Sequence, residues 1–159
     1  KNTCHLPPAA TDPYRRNVTA NIETIHLKTN NYKNIDLELE KCVFLLNAKE
    51  ENPGLYELIW ELSYYEISIE DKYKIAHIIL NDILFNGLAI LEKHSDHSLK
   101  NKVDTIQTEK IEEILNNPVS WYPDYENFVI VITNKGEKYL ENIDSQLLQK
   151  LSNRFLTKK

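Results

Sequence analysis

Residues 68–94 decide the fold, and they read SIEDKYKIAHIILNDILFNGLAILEKH. Apolar residues recur through the first two thirds of this stretch at the three- and four-residue spacing of a helix. Ser68 and Asp71 resemble a capping box at its start, with Asp in place of the usual Glu. Gly87 follows the last periodic residue, where a left-handed backbone commonly ends a helix. The residues from Leu88 to His94 then read as a strand, so the sequence predicts a helix, a tight turn and a strand.

Two further helices are predicted before this stretch. The first begins at Asp36, and the chain is broken after it by Pro53 and Gly54. The second covers residues 54–66. Their apolar stripes are Leu39, Cys42, Val43 and Leu46 in the first helix and Leu55, Leu58, Ile59 and Leu62 in the second.

After the predicted strand the pattern alternates between loops and short elements. Residues 95–107 are polar and charged and are predicted to form a loop, and a short helix follows over residues 108–117. The β-branched run 128–133 is typical of a strand. A helix over residues 134–140 and a last helix that ends in basic residues complete the chain.

These elements predict one α+β domain, mostly helical, over residues 18–159. Residues 1–17 contain Pro7, Pro8 and Pro13 and are predicted to form an extended arm. A chain of 159 residues buries enough surface to fold without disulfides or structural zinc.

Composition excludes several classes of protein. No apolar run approaches the ~18 residues of a membrane helix, and the start of the chain has no apolar signal region or lipidation motif, so we expect a cytoplasmic protein with no membrane partner. The net charge is −5, and residues 36–72 carry ten acidic and three basic side chains. Such a field favours cationic partners over nucleic acid.

No motif in the sequence indicates catalysis. The three glycines are isolated, so no phosphate-binding loop is present. Cys4 and His5 are adjacent on the predicted arm, where neighbouring side chains point apart. His94, Asp96 and His97 are metal-ligand types, but a fourth ligand is missing, and a solvated polar loop is the better interpretation. We therefore predict a protein that is not an enzyme, with no catalytic residues, cofactor or metal.

A candidate binding surface lies on the helix predicted over residues 54–66 and the residues after it. Its aromatic members fall at i, i+4 and i+8, and its carboxylates lie beside them. The predicted partner-binding residues are Tyr56, Glu57, Trp60, Glu61, Tyr64, Glu66, Glu70 and Asp71. Aromatic anchors among carboxylates suit a basic protein partner, because Tyr and Trp dominate interface energetics and carboxylates accept Arg. The alternative is that the rings pack under the arm or the last helix and the acids are merely solvated.

A second aromatic cluster comprises Trp121, Tyr122 and Tyr125. Its rings either cover the core or stack on a ligand or a base. The sequence leaves these alternatives open.

Two short stretches resemble known regulators. Asn86–Ile90 resembles the junction from the third helix into the first wing strand of a winged-helix domain, and Ile132–Leu140 resembles the exit from the second wing strand. The resemblance is to MarR-like and PadR-like proteins and covers residues 36–142. It implies a winged-helix-like domain with a long, helix-containing insert in the wing. Glu70 and Asp71 stand at the start of the implied recognition helix, where DNA-binding proteins carry basic or amide side chains. This departure disfavours nucleic acid as a partner.

A second resemblance rests on five stretches, namely Leu55–Leu62, Asp71–Ala76, Gly87–Leu88, Pro118–Pro123 and Thr133–Gly136. Together they resemble a family of small uncharacterised bacterial proteins, some of which serve as immunity proteins in contact-dependent growth inhibition and related toxin systems. The resemblance implies an immunity or antitoxin-type inhibitor that occludes the active site of a cationic toxin domain. The alternative is a winged-helix transcription regulator, which would need a positive stripe from Lys72, Lys74, Lys100, Lys102 and Lys110. The oligomeric state stays open.

Overall fold

A computed structural model describes residues 35–95, 101–123 and 127–156 of this chain. The chain divides into two units, Lys1–Ile35 and Asp36–Lys159, and the second contains all the elements discussed below. The arm predicted for residues 1–17 lies outside the described residues. The described part of the second unit is α+β, with six α-helices and one three-stranded antiparallel sheet.

The first three helices bury the apolar stripes that the sequence predicts, except that Leu39 and Leu46 of the first stripe are only half-buried. They are α1 (Leu37–Glu50), α2 (Leu55–Glu61) and α3 (Ile69–Phe85). Asp36 caps α1 by accepting a hydrogen bond from the Leu39 amide at 3.1 Å, and Ser68 caps α3 by accepting one from the Asp71 amide. The residues of these helices that are fully or almost fully buried include Cys42, Val43, Leu55, Leu58, Ile75 and Leu80.

The second helix is shorter than predicted. It ends at Glu61 and continues as a 3-10 turn over Leu62–Tyr64. A 3-10 turn has three residues per turn, so Tyr64 does not continue the i, i+4 line of Tyr56 and Trp60. The predicted helix over residues 54–66 is therefore wrong at its end.

The sheet is built from strands that are separated along the chain. Strand β1 (Ala89–His94) pairs antiparallel with β2 (Lys102–Thr105) on one side and with β3 (Asn127–Ile132) on the other. Leu91 lies opposite Ile130, and both are buried. The strands predicted around residues 88–94 and 128–133 are thus confirmed.

The loop predicted over residues 95–107 is wrong in its second half, because that half contains β2. All four residues of β2 are exposed, so the strand shows none of the alternation between buried and exposed residues by which strands are recognised. Between β2 and β3 lie α4 (Thr108–Asn116) and a 3-10 turn over Pro118–Trp121.

The last two helices cover α1. They are α5 (Asn134–Glu141) and α6 (Ser145–Leu156), and Leu147 and Leu151 of α6 form a core cluster with Cys42 and Val43. Burial raises the pKa of the Cys42 thiol to about 11, which leaves it unreactive in its role as a small core residue.

An isolated bridge ties the start of α2 to the sheet. Gly54 pairs antiparallel with Val129 of β3, and the Ile130 amide donates to the Pro53 carbonyl at 3.0 Å. The bridge places α2 beside the edge of β3 that β1 leaves open.

Candidate partner-binding surface

The predicted binding residues lie along α2, the 3-10 turn that follows it and the first turn of α3. We call this set the acidic aromatic surface. It comprises Tyr56, Glu57, Trp60, Glu61, Tyr64, Glu66, Glu70 and Asp71, which are all exposed or half-buried. The fold therefore keeps these side chains at the surface.

Trp60 is the most exposed large apolar side chain of the described residues, at 74%. Leu58, Ile59 and Leu55 turn the other side of α2 into the core, so position 60 faces outward. An indole left in water forgoes a large burial energy, and such rings at a surface are typical of interface anchors. Among residues 35–95, 101–123 and 127–156, no element covers this ring, so Trp60 does not pack under the last helix. The arm that the other alternative invokes lies outside these residues.

Tyr64 is held by the last helix. The Arg154 guanidinium of α6 lies 3.9 Å from the centre of its ring, and Tyr65 meets the same ring edge-on. Tyr64 is still 49% exposed. The alternative of packing against the last helix therefore holds in part for this residue.

Several carboxylates of the surface also have structural roles. Glu57 accepts a hydrogen bond from the Gly54 amide at the start of α2, at 2.9 Å. Glu61 lies 3.9 Å from Arg154, Glu70 pairs with Lys74 at 2.6 Å, and Asp71 accepts from the Ser68 hydroxyl.

Glu66 differs from the other carboxylates of this surface. It is exposed, and within the described part of the chain no hydrogen bond or ion pair involves its side chain. Within the described ranges, three cations, Lys72, Lys74 and Arg154, lie among the five carboxylates, so this part of the surface is net negative.

A buried ion pair supports Tyr64 from below. Arg154 donates from Nε to Glu40 Oε1 at 3.1 Å and from Nη2 to the Glu61 carbonyl at 2.8 Å. The Tyr65 hydroxyl donates to the same Glu40 oxygen at 2.9 Å. Burial and the Glu40 carboxylate raise the pKa of Tyr65, so its hydroxyl stays a donor. These contacts fix the 3-10 turn to α1 and α6.

The fold brings the second aromatic cluster next to the first. The turn over Pro118–Trp121 contacts α2. Trp121 is buried, its indole N–H donates to the Leu115 carbonyl at 2.9 Å, and the Tyr73 ring of α3 meets it edge-on with 5.4 Å between ring centres. Tyr122 is 63% exposed. Trp121 thus covers the core while Tyr122 faces solvent, and Tyr125 lies outside the described residues.

Sequence reasoning missed the apolar residues beside this cluster. Ile69 and Tyr73 are exposed on α3, and Val119 is exposed on the turn. The spacing of Ile69 and Tyr73, at i and i+4 off the buried stripe of α3, is the signal that marks them.

The lysines required by a DNA-binding surface are engaged elsewhere. Lys72 donates to the Ser63 hydroxyl, Lys74 pairs with Glu70, and Lys102 pairs with Glu92 at 2.5 Å. Lys100 lies outside the described residues. Of the four described lysines, Lys74 and Lys102 are paired with carboxylates, which reduces the positive charge available to such a stripe, and Lys110 is exposed on α4.

Of the three residues considered for metal binding, only His94 belongs to the described ranges. Among residues 35–95, 101–123 and 127–156, no group of three or more His, Cys, Asp or Glu side chains is placed to hold an ion. His94 is buried, and its Nε2 lies 3.3 Å from Glu92 Oε2. Asp96 and His97 lie outside the described residues.

None of the helices in the described part of the chain combines the length and apolar character needed to cross a bilayer.

Comparison with known proteins gives no relative for this chain: no family model, no curated protein and no solved structure matches it.

Proposed function

We propose that this protein is a non-enzymatic inhibitor of the immunity or antitoxin type, which binds a cationic protein and occludes its active site. The observation that carries the proposal is the indole of Trp60, which is 74% exposed and lies in a net negative surface. Two contributions favour the binding of a basic partner to such a surface. The carboxylates attract and pair with Arg and Lys, and contact with the partner removes the indole ring from water.

The proposal includes a winged-helix architecture. Three helices precede an antiparallel pair of strands, β1 and β3. Gly54, which lies between the first two helices in the chain, pairs with Val129 of β3 and so adds a short backbone pairing to the sheet. The segment between β1 and β3 would be a wing enlarged by β2 and α4. In this architecture α3 is the recognition helix, and its first turn bears Ile69, Glu70 and Asp71. That chemistry suits a protein partner better than a phosphate backbone.

The first test is a double substitution on residues that the fold does not need. Trp60→Ala with Glu66→Lys removes the exposed ring and reverses the charge at position 66, whose side chain forms no hydrogen bond or ion pair in the described part of the chain. The basic proteins encoded by the neighbouring genes serve as probes in titration calorimetry. We expect one of them to bind the unmodified protein and the double variant to lose at least about tenfold in affinity.

The matched control is Glu113→Lys, the same charge reversal at an exposed position of α4. It is expected to leave affinity unchanged, apart from the small effect of net charge. Equal affinity of the double variant and the unmodified protein would exclude this surface as the binding site. Failure of every neighbouring basic product to bind the unmodified protein would overturn the proposed function.

A second test separates the inhibitor from the regulator hypothesis. We expect no gel shift of the protein's own promoter DNA at low salt, where electrostatic binding is strongest, because the lysines near α3 are paired or bonded within the protein. A shift that weakens steeply as salt rises would support the transcription regulator instead.

A further inference from the structure

We infer that Ile69, Tyr73, Val119 and Tyr122 form a second half of the binding surface, which receives an apolar side chain of the partner. We call these four residues the apolar patch. The inference rests on the proposed function and adds the chemistry of the bound segment: an apolar side chain flanked by Lys or Arg.

The four residues come from two elements that contact each other. Ile69 and Tyr73 lie one turn apart on α3, and Val119 and Tyr122 lie on and just after the turn over Pro118–Trp121. The buried ring of Trp121 joins the two elements, because it meets the Tyr73 ring edge-on with 5.4 Å between ring centres. The two halves of the patch therefore lie on adjoining elements.

All four side chains remain accessible. Ile69 is 61% exposed and Tyr122 is 63% exposed, while Tyr73 and Val119 are exposed to a smaller degree. A cluster of large apolar groups that stays in water on a folded domain is a mark of an interaction site.

The platform beneath the patch is well fixed. The Asn117 side chain accepts a hydrogen bond from the Val119 amide at 3.1 Å, and the Trp121 indole N–H is bonded to the Leu115 carbonyl. A partner would lose little free energy in ordering this turn, since its backbone is already held in one conformation.

Charge complementarity identifies the occupant. Glu66 and Glu70 lie before and after Ile69 along the chain, and Glu57 and Trp60 belong to α2, which contacts the turn. Lys72 and Lys74 adjoin Tyr73, and they are outnumbered by the nearby carboxylates, Glu57, Glu66, Glu70 and Asp71. An apolar side chain seated on the patch would place its sequence neighbours beside these carboxylates. Lys or Arg next to that side chain would be attracted, and Asp or Glu would be repelled.

The test uses a random-peptide display library selected on the full chain. We expect the enriched peptides to combine an aliphatic or aromatic residue with Lys or Arg close to it. The affinity of one enriched peptide is then measured by titration calorimetry for Tyr122→Ala and for Ile69→Ser, and each is expected to fall about tenfold. Circular dichroism melting of each variant shows that the loss of affinity is not a loss of folding.

Leu148→Ala is the control for the apolar patch. Leu148 is 50% exposed on α6, which packs on α1, so its removal is expected to leave peptide affinity unchanged. Enriched peptides that are basic and lack an apolar residue, or that bind the Tyr122 and Ile69 variants as well as the unmodified protein, would overturn the inference while the proposed function stands. Selection of acidic peptides, or of none, would overturn the proposed function itself.

Discussion

Arg154→Met is expected to destabilise the fold by about 3–5 kcal/mol. Arg154 is almost fully buried, and the Glu40 carboxylate that it binds is completely buried. Glu40 Oε2 has no hydrogen-bond partner among the described residues, so its charge is compensated chiefly by the guanidinium and the Tyr65 hydroxyl. Removing the guanidinium leaves the Glu40 carboxylate in the core with too few hydrogen bonds and no opposite charge to offset its desolvation free energy.

Urea unfolding monitored by circular dichroism measures the effect as a shift in midpoint with an unchanged slope. The double variant Glu40→Leu with Arg154→Met is expected to recover most of the loss, because two apolar residues of similar size need no solvation. Lys150→Met is the control on the same helix. It removes an exposed pair with Asp36 and is expected to change the unfolding free energy far less, since water screens that pair.

Two results would contradict this account. One is a single Arg154→Met variant as stable as the unmodified protein. The other is a double variant less stable than the single one, which would mean that the unpaired Glu40 carboxylate is not what destabilises the Arg154→Met variant.

The buried pair also marks a limit of sequence-based prediction. Glu40 and Arg154 are 114 residues apart in the chain, and no periodicity connects them. The one local sign is that Glu40 lies on a helix rich in apolar residues, with Val43 and Phe44 one turn further on and both fully buried. That sign marks the carboxylate as buried but does not name its partner.

The elements that could be predicted are those whose burial follows a period. The stripes of α2 and α3 are of this kind and are buried, whereas in α1 Cys42 and Val43 are buried and Leu39 and Leu46 are half-buried. Strand β3 was predictable for another reason, a continuous apolar run of mostly β-branched residues, three of which in succession are buried. Strand β2 could not be recognised, because an exposed edge strand has no buried face to produce a pattern. The end of α2 was misplaced because the helical spacing of Tyr56, Trp60 and Tyr64 continues past Glu61, where the backbone tightens.

The candidate surface was predictable only in part for a similar reason. The exposure of Trp60 follows from the phase of α2, since Ile59 and Leu58 point inward. The contact between α2 and the turn at Trp121 could not be predicted, because the periodicity of one helix shows which face is buried but not which element packs against it. The apolar patch likewise depends on the tertiary contact between the rings of Tyr73 and Trp121.

Gly136→Ala is expected to cost about 3 kcal/mol of unfolding free energy, although Ala is the better helix former. Gly136 lies in the first turn of α5, where the Thr133 side chain accepts a hydrogen bond from its amide. The Thr133 amide in turn donates to the Leu88 carbonyl at 3.0 Å. A methyl group at position 136 would overlap the Leu88 carbonyl oxygen and lie 2.8 Å from Ile132 Cγ1. The carbonyl belongs to the backbone and cannot rotate away, so α5 must move off the start of β1.

Gly87→Ala is the control that separates steric overlap from backbone strain. Gly87 has φ of +64°, and a Cβ there would meet nothing within 4 Å. Its substitution is expected to cost about 1 kcal/mol, the penalty of a left-handed conformation for an L-residue, and Gly87→Asn less than that, because Asn tolerates this conformation. Urea unfolding of the three variants gives the order. If Gly136→Ala proves as stable as the unmodified protein, the close approach of α5 to Leu88 is not what requires glycine at that position.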